Sequence, residues 1–388
     1  MWTAHLESDV AQWEVAIVGA GIVGLANAWS AAERGHRVTI FERDERAQGA
    51  SIRNFGMGWP IGQPPGELRD IAMESRRRWL TLSREAGVWL RECGSIHLAH
   101  RADEWEVLRE FYSLAQTAAI KCELLDATAV MQRSPAANPE GLRGGLFSPT
   151  ELCVNPRRAV PQIAAWLSKR YGVRCEFSAT VTGADGRHIR TADGREFRAD
   201  RTIVCTGSDF QMLFPDVFAS ANLRRCKLQM LKTVPQPGNW RLGPHLASGL
   251  TLRHYHNFET CPSLAALKRR IATDAPELDR FGIHVMASQN DAGEIILGDS
   301  HEYDSEISPF DQVGIDELIL RELRKIIRLP DWTVAERWNG TYGKNPSGPC
   351  LETTPMAGMH VMVGTGGAGM TMAFGLAERA WGNWSDAN

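Results

Sequence analysis

The fold is decided by residues 15–42, which read VAIVGAGIVGLANAWSAAERGHRVTIFE. An apolar run ends at Gly19, a glycine-rich turn follows, and a helix-like segment extends to about Arg34. A second apolar run then ends on Glu42. Two short buried strands joined by one helix are typical of a parallel βαβ unit.

The glycines of the turn have the spacing GxGxxG, and each has a physical role. Gly19 permits the tight turn, Gly21 lets a pyrophosphate approach the main chain, and Gly24 lets the helix pack closely on the strand. The helix N-terminus offers N–H groups and a positive dipole end to phosphates. Glu42 ends the second strand, where a carboxylate can accept both ribose hydroxyls. The unit therefore predicts a dinucleotide site.

Composition sets limits on the remaining possibilities. The chain has 388 residues, of which 43% are hydrophobic and 23% charged, enough for a full core and about two domains. A net charge of −3 gives no reason to expect nucleic acid as a partner. The N-terminus lacks a signal-peptide pattern, no apolar run reaches membrane-spanning length, and we expect a cytoplasmic protein without a membrane partner.

The eight cysteines are scattered and include no C-x-x-C pair, so they signal neither a zinc site nor a redox dithiol. Free thiols in a reducing compartment are the simpler interpretation. We expect no metal.

Three parts of the chain together resemble the FAD-dependent amine oxidoreductases of the D-amino-acid oxidase type, which include glycine oxidase and sarcosine oxidase. They are the opening glycines with Glu42, the strand end at Thr206 and Gly207, and the closing glycine loop at residues 364–369. The resemblance implies non-covalent FAD and a small amine substrate, with O2 as the expected acceptor. No second GxGxxG is evident for a nicotinamide donor, which favours direct reduction of the flavin by substrate.

The resemblance also implies an α/β fold: a Rossmann-like FAD-binding domain with an inserted α+β substrate domain on a mixed sheet. We expect the FAD-binding domain at residues 14–90, 150–215 and 335–388. The substrate domain then takes residues 91–149 and 216–334.

Residues 46–56, 224–230 and 366–371 resemble a narrower bacterial branch associated with aminophosphonate breakdown. This implies oxidation of 2-aminoethylphosphonate or its N-methyl derivative to an imine, which water hydrolyses to phosphonoacetaldehyde and ammonia or an amine.

The cofactor residues implied by the resemblance fall into four groups: the diphosphate turn and ribose region, the stretch beside the flavin ring, the adenine contact with the nearby strand end, and the loop at the pyrimidine edge. They are Gly19, Ala20, Gly21, Gly24, Glu42 and Arg43; Ser51, Arg53 and Asn54; Val181, Thr206 and Gly207; and Gly367, Ala368, Gly369, Met370 and Thr371. N–H donors in the last group would stabilise the negative charge of reduced flavin.

Two departures from the family pattern bear on substrate and cofactor. The segment that carries a carboxylate-binding arginine in the amino-acid oxidases matches residues 338–343 here, and Tyr342 occupies the arginine position. A bidentate carboxylate clamp is therefore absent from its usual place. Cys350 lies several residues beyond the cysteine that tethers flavin in sarcosine oxidases, so we expect no covalent link.

A phosphonate needs cations and hydrogen-bond donors. The candidates for the catalytic site are Tyr255, His254, Tyr342 and Lys344, with the first two on a strand-like piece. Three of them also have a plain structural interpretation: packing for Tyr255, a satisfied structural role for His254, and a solvated charge for Lys344.

Other functions stay open on the sequence alone. A glycine, sarcosine or D-amino-acid oxidase or dehydrogenase would need another cation, such as Arg253. A non-catalytic flavin-bound subunit and a nicotinamide-dependent flavin hydroxylase are more remote alternatives.

Gly21→Val is expected to abolish FAD retention, because a side chain there fills the space that the pyrophosphate needs. The measurement is the visible absorption of the purified variant. A yellow Gly21→Val protein would contradict the prediction.

Overall fold

The computed structural model of the chain describes residues 12–385. The helices are α1 Ile22–Glu33, α2 Glu67–Ala86, α3 Ala102–Thr117, α4 Ala127–Arg133, α5 Pro156–Tyr171, α6 Pro215–Ser220, α7 Leu264–Asp274, α8 Pro276–Arg280, α9 Val313–Ile326 and α10 Gly369–Ser385. Short 3-10 turns lie at Ala50–Ile52, Pro60–Gly62, Gly249–Arg253, His256–Thr260 and Gly366–Ala368.

The strands are β1 Glu14–Val18, β2 Arg37–Phe41, β3 Met57–Gly58, β4 Leu90–Glu92, β5 Ser95–Ala99, β6 Glu123–Asp126, β7 Gly144–Ser148, β8 Leu152–Val154, β9 Arg174–Glu176, β10 Val181–Ala184, β11 His188–Thr191, β12 Glu196–Arg198, β13 Arg201–Val204, β14 Arg224–Pro235, β15 His245–Ala247, β16 Met286–Gln289, β17 Glu294–Gly298, β18 Glu302–Asp304, β19 Val334–Lys344, β20 Leu351–Met356 and β21 Met359–Val363.

The first sheet has six strands in the order β20-β21-β13-β1-β2-β9. All neighbours in it are parallel except β20 and β21, which form an antiparallel edge. Ile17 of β1 pairs with Ile40 on one side and Ile203 on the other, and all three are fully buried. Strands this apolar suit a sheet that is covered on both faces. The α/β fold class expected from the sequence is confirmed.

The second sheet is larger and mixed. Its nine strands run β18-β14-β17-β16-β15-β5-β7-β6, and β19 pairs with β14. The long β14–β19 pairing is antiparallel and extends from Arg224 opposite Lys344 to Thr233 opposite Val334. Strand β19, which begins beside the expected domain boundary at residue 335, thus belongs to the second sheet, and the chain returns to the first sheet after Lys344. Strand β19 joins the sheet of its hydrogen-bonded partner β14 and not the sheet of β20, the next strand in the sequence.

Helices α1, α2, α5 and α10 pack on one face of the first sheet around three buried tryptophans, Trp29, Trp79 and Trp381. Phe374 of α10 meets Trp29 and Trp79 edge-on, with ring centroids 5.6 and 5.2 Å apart. Within residues 12–385, no helix combines the length and apolar composition that a bilayer crossing requires.

Helices α2 and α10 approach so closely that one position must lack a side chain. A Cβ on Gly375 would lie 2.1 Å from the Ile71 carbonyl oxygen, and the Gly375 N–H donates to Ser75 Oγ at 2.7 Å. Gly382 lies on the same helix, and a Cβ added there would meet no described residue outside the helix within 4 Å.

Gly375→Ala is expected to lower the free energy of unfolding by about 1–3 kcal/mol, because the added methyl group forces two backbones apart. The matched control Gly382→Ala should leave stability unchanged or raise it by up to about 1 kcal/mol through helix propensity. The free energies of unfolding of the two variants are measured from urea unfolding curves. Equal effects at both positions would contradict the packing argument.

Candidate functional site

One large cavity, of about 970 Å³, lies between the two sheets. Its wall includes residues after the carboxyl ends of β1, β2, β13 and β21, and on the other side residues of β14, β16 and β19. The carboxyl end of parallel strands is where α/β sheets bind ligands. The volume is at the upper end of the range for small-molecule and cofactor sites, about 300–1,000 Å³.

The turn after β1 is built for a close-approaching ligand. Gly19 has φ +108°, and its N–H donates to the Phe41 carbonyl at 2.8 Å. A Cβ on Gly24 would lie 1.9 Å from the Gly19 carbonyl oxygen, so α1 can pack here only with glycine. Gly21 is the N-cap of α1 and lines the cavity, whereas Gly24 and Ala20 lie behind the wall and do not.

Glu42 is buried at the end of β2 and reaches back to the turn. One carboxylate oxygen accepts from the Ala20 N–H at 2.9 Å and the other from the Asp44 N–H at 3.2 Å. Arg43 beside it forms an ion pair with Asp209 at 3.0 Å. Glu42 and Arg43 both line the cavity where the sequence places the ribose.

The stretch around the short turn at Ala50–Ile52 is held rigidly by its own side chains. Ser51 Oγ accepts from the Ile22 N–H at 2.9 Å, which ties it to the start of α1. Asn54 donates to the Ala50 carbonyl at 2.9 Å and accepts from the Gly56 N–H at 2.8 Å. Ser51, Asn54 and Arg53 all line the cavity, which provides a rigid wall beside the space for a planar ring system.

The closing glycine loop leads directly into α10, whose first residue is Gly369. Thr371 Oγ1 accepts from the Trp59 N–H at 2.9 Å, and the Met370 carbonyl accepts from the Trp79 indole at 2.8 Å. The helix N-terminus thus faces the cavity, and its N–H groups and dipole favour negative charge there. Eight residues predicted from the sequence line this part of the wall and the adenine side of the cavity. They are Gly367, Ala368, Gly369, Met370, Thr371, Val181, Thr206 and Gly207.

The four candidate catalytic residues, Tyr255, His254, Tyr342 and Lys344, converge on the cavity from two elements. The predicted strand at residues 253–255 is wrong: these residues join two 3-10 turns, because the backbone N–H groups bond locally instead of in a ladder. Tyr342 and Lys344 lie on β19.

The two tyrosines are uncharged and held largely by packing. Tyr255 stacks near Trp59 with ring centroids 6.1 Å apart, and its hydroxyl has only a weak contact, 3.7 Å to Met286 Sδ. Burial raises the pKa of Tyr255 far above its ordinary value, with Asp299 a smaller cause. Burial, then Cys226, does the same to the pKa of Tyr342. The Tyr255 hydroxyl can donate a hydrogen bond to an anion, whereas the Tyr342 hydroxyl already has hydrogen bonds with Cys226 and Tyr303.

Lys344 supplies positive charge to this wall. Its Nζ lies 5.2 Å from the centroid of the Tyr303 ring, and it forms no ion pair with an acid among residues 12–385. Arg253, the alternative cation, points elsewhere: its guanidinium pairs with Asp279 and donates to the Ile283 carbonyl at 3.0 Å. Lys227 is also engaged, with Asp311 at 2.9 Å.

Cys350 lies outside the cavity lining, with its thiol 3.2 Å from Glu352 Oε1. Burial raises the pKa of Cys350 well above its ordinary value, so the thiol is protonated and unreactive. This supports the expectation of FAD without a covalent link.

The structure adds a group that the sequence reasoning missed: His284 and His301 join His254, with Asp299 beside them. Strands β16 and β17 form an antiparallel hairpin, and His284 precedes one strand while His301 follows the other. The backbones of His284 and Asp299 bond to each other there. The sequence signal for this group was that His284 and His301 lie just outside the two strands of one hairpin.

Burial shifts the pKa of each member of this group toward its uncharged form. Burial lowers the pKa of His284 and of His254 well below the ordinary value, and lowers the pKa of His301 to about 4. Burial raises the pKa of the Asp299 carboxyl well above its ordinary value.

The residues present fit FAD. A Cβ added to Gly21 would lie 3.1 Å from Ser51 Oγ, so the glycine leaves room for a ligand at the turn. Glu42 lies at the end of β2, and the cavity extends past α10 to the candidate substrate groups. Gly19, Gly21, Glu42, Ser51 and the loop at 367–371 would hold it.

Comparisons with known proteins agree with this geometry. A curated glycine oxidase of Geobacillus kaustophilus is 26% identical over 211 residues, which are 51% of this chain and 55% of that protein. The matched region thus spans about half of that relative. A D-amino acid dehydrogenase of Vibrio atlanticus is 23% identical, covering 96% of this chain and 97% of the relative. The crystal structure of the Geobacillus glycine oxidase superposes with a TM-score of 0.77 at 18% identity, covering 97% of this chain and 95% of that one.

A family model described as DAO, FAD dependent oxidoreductase, matches residues 14–380. That range includes both sheets, the glycine turn, Glu42 and the closing loop. It confirms the family expected from the sequence: this chain belongs to the DAO family of FAD-dependent oxidoreductases.

Proposed function

We propose that this protein oxidises a small aminophosphonate, N-methyl-2-aminoethylphosphonate or 2-aminoethylphosphonate. The C–H beside the amine nitrogen would lose a hydride and the nitrogen a proton; FAD, held by the glycine turn and the loop at residues 367–371, would supply the two-electron acceptor. The resulting imine takes up water and releases phosphonoacetaldehyde with methylamine or ammonia. O2 as the electron acceptor would become H2O2.

The observation that carries the proposal is the composition of the wall at β19. Tyr342 stands where the carboxylate-binding arginine of amino-acid oxidases is expected, and it is 8% exposed. Lys344, two residues along the strand, lines the same cavity. A lysine with hydroxyl donors suits a tetrahedral anion, whereas a planar carboxylate is best held by an arginine fork.

The protein's part in the reaction is to bind, orient and exclude water. Lys344 and Tyr255 would hold the phosphonate, and the rigid wall at Ser51 and Asn54 would set the ring against which the amine lies. The start of α10 would stabilise negative charge that develops on that ring. All eight cysteines are free thiols, which supports a reducing, cytoplasmic location.

A glycine, sarcosine or D-amino-acid oxidase or dehydrogenase is the second candidate, and the named relatives favour it. The cation first considered for it, Arg253, is paired with Asp279 and is not part of the cavity wall. A carboxylate substrate would therefore depend on Lys344 or on Arg53, which both line the cavity.

Anaerobic titration distinguishes these functions. The wild-type protein is expected to lose its flavin absorption with an aminophosphonate at lower concentration than with sarcosine, glycine or D-alanine. Lys344→Met should weaken the aminophosphonate response about 10- to 100-fold, the loss expected for a charge-assisted hydrogen bond. Lys169→Met, at an exposed position on α5, is the matched control. Bleaching by carboxylates alone would overturn the proposal.

Tyr255→Phe is expected to raise the substrate concentration for half-bleaching about tenfold, because one hydroxyl donor is lost. The visible spectrum and thermal stability should stay the same, since the hydroxyl contacts the protein only at Met286 Sδ. Tyr171→Phe, whose hydroxyl lies 3.4 Å from Glu33, is the control. Unchanged bleaching in Tyr255→Phe would return this residue to a packing role.

A further inference from the structure

Three imidazole rings from separate parts of the chain meet on the cavity wall. His254, His284 and His301 each offer a ring nitrogen, and these nitrogens all lie within 4.8 Å of one another. The ring centroid of His284 lies 4.3 Å from that of His254 and 4.7 Å from that of His301. All three residues line the cavity that holds the candidate substrate groups.

One nitrogen on each of these rings has no protein partner. Within residues 12–385, His254 Nε2, His284 Nδ1 and His301 Nδ1 are buried and accept or donate no hydrogen bond. The His284 side chain is only 5% exposed. Buried polar atoms are nearly always paired, and each exception calls for a physical explanation. The acid nearest to His301 Nδ1 is Asp299, whose Oδ1 lies 4.0 Å away, beyond hydrogen-bond distance. Three unpartnered nitrogens on rings that approach one another this closely point to a missing shared partner.

The outer sides of the same rings are held in place. Asp299 Oδ1 lies 3.2 Å from His284 Nε2, on the opposite side of the ring from the free Nδ1. The His301 ring has a hydrogen bond with the backbone of Gly282. Carboxylates and carbonyls behind histidines are the contacts that orient metal-binding imidazoles.

We propose that His254, His284 and His301 bind one divalent transition-metal ion of the zinc class, with a fourth coordination position open to the cavity. Three histidines and one open position form a known type of zinc site. At Zn–N distances of about 2.0–2.1 Å the nitrogens of a tetrahedral site lie roughly 3.3 Å apart, so small ring rotations complete the site.

A cation fits this place better than a directly bound anion. The carboxyl group of Asp299 is 5% exposed, and its Oδ1 lies 3.2 Å from His284 Nε2 and 4.0 Å from His301 Nδ1. A cation bound to the rings favours the ionised form of this carboxyl group, whereas a bound anion would repel it. Imidazole nitrogens are also the ligands that zinc, copper, iron and nickel prefer.

The open position gives the ion a role at the substrate. A metal on this wall would take an oxygen of the anionic end of the amine, on the same side as Lys344, which lines the cavity with it. This role rests on the proposed function; the metal site itself does not.

The test uses the FAD-loaded protein after chelator treatment, titrated separately with Zn2+ by calorimetry and with Co2+ by absorption beyond the flavin bands. We expect one ion per chain and the d–d bands of tetrahedral Co2+. His284→Gln and His301→Gln should each lose the stoichiometric binding, and Asp299→Asn should weaken it about 10- to 100-fold. His256→Gln is the matched control, since its exposed side chain pairs with Glu259 outside the cluster.

Retained FAD and an unchanged melting temperature show that each variant folds; if His284→Gln fails this check, His301→Gln decides. No stoichiometric uptake of Zn2+ or Co2+ by the wild type would overturn the proposal. So would full binding in both histidine variants, or binding of inorganic phosphate that needs the histidines but no metal.

Aminophosphonate titrations with and without Zn2+ separate this proposal from the proposed function. Zn2+ should tighten aminophosphonate binding at least tenfold. Bleaching that is independent of a bound Zn2+ would overturn the anchoring role and leave aminophosphonate oxidation standing. Bleaching by carboxylates alone would overturn aminophosphonate oxidation, while the Co2+ spectrum would still decide the metal site.

Discussion

Helix α1 can start directly behind strand β1 only because two glycines let their backbones touch. The missing side chain at Gly24 leaves room for the Gly19 carbonyl, which a Cβ would approach to 1.9 Å. That contact sets the start of α1 at the carboxyl end of the sheet, where its N-terminal N–H groups face the cavity. Glu42 then fixes the turn from the next strand by accepting the Ala20 N–H. The cofactor end of the cavity depends on this arrangement.

Residues of the second sheet form the other end of the cavity. Strand β19 is the link, because its long pairing with β14 carries the chain across the cavity before it returns to β20 and β21. Tyr342 and Lys344 therefore face the same space as the loop before α10. The residues that would bind the substrate and the residues that would hold the flavin come from different segments and line the same cavity.

Burial shifts the pKa values of the side chains in this second wall. The tyrosine and histidine side chains there are kept uncharged because charged forms lose their hydration in the interior. Lys344 and Arg53 line the same cavity, while Arg253 and Lys227 are paired with Asp279 and Asp311. The proposed aminophosphonate substrate and the proposed metal ion both rest on this combination of charged and uncharged groups.

Local spacing along the chain was enough to predict the βαβ unit and a dinucleotide site, because GxGxxG and the acid at Glu42 specify backbone geometry within a few residues. The resemblance carried by these residues, by Thr206 and Gly207, and by the closing glycine loop then implied the α/β fold, FAD and the family.

Three features became visible only in the folded chain: the membership of β19 in the large sheet, the 3-10 turns around His254, and the meeting of His254 with His284 and His301. The first and third depend on contacts between segments far apart in the chain, which no local pattern specifies, whereas the turns form because residues 253–255 find no partner strand within residues 12–385. The histidines carry no ligand spacing in sequence because a hairpin and a separate loop bring them together in the fold.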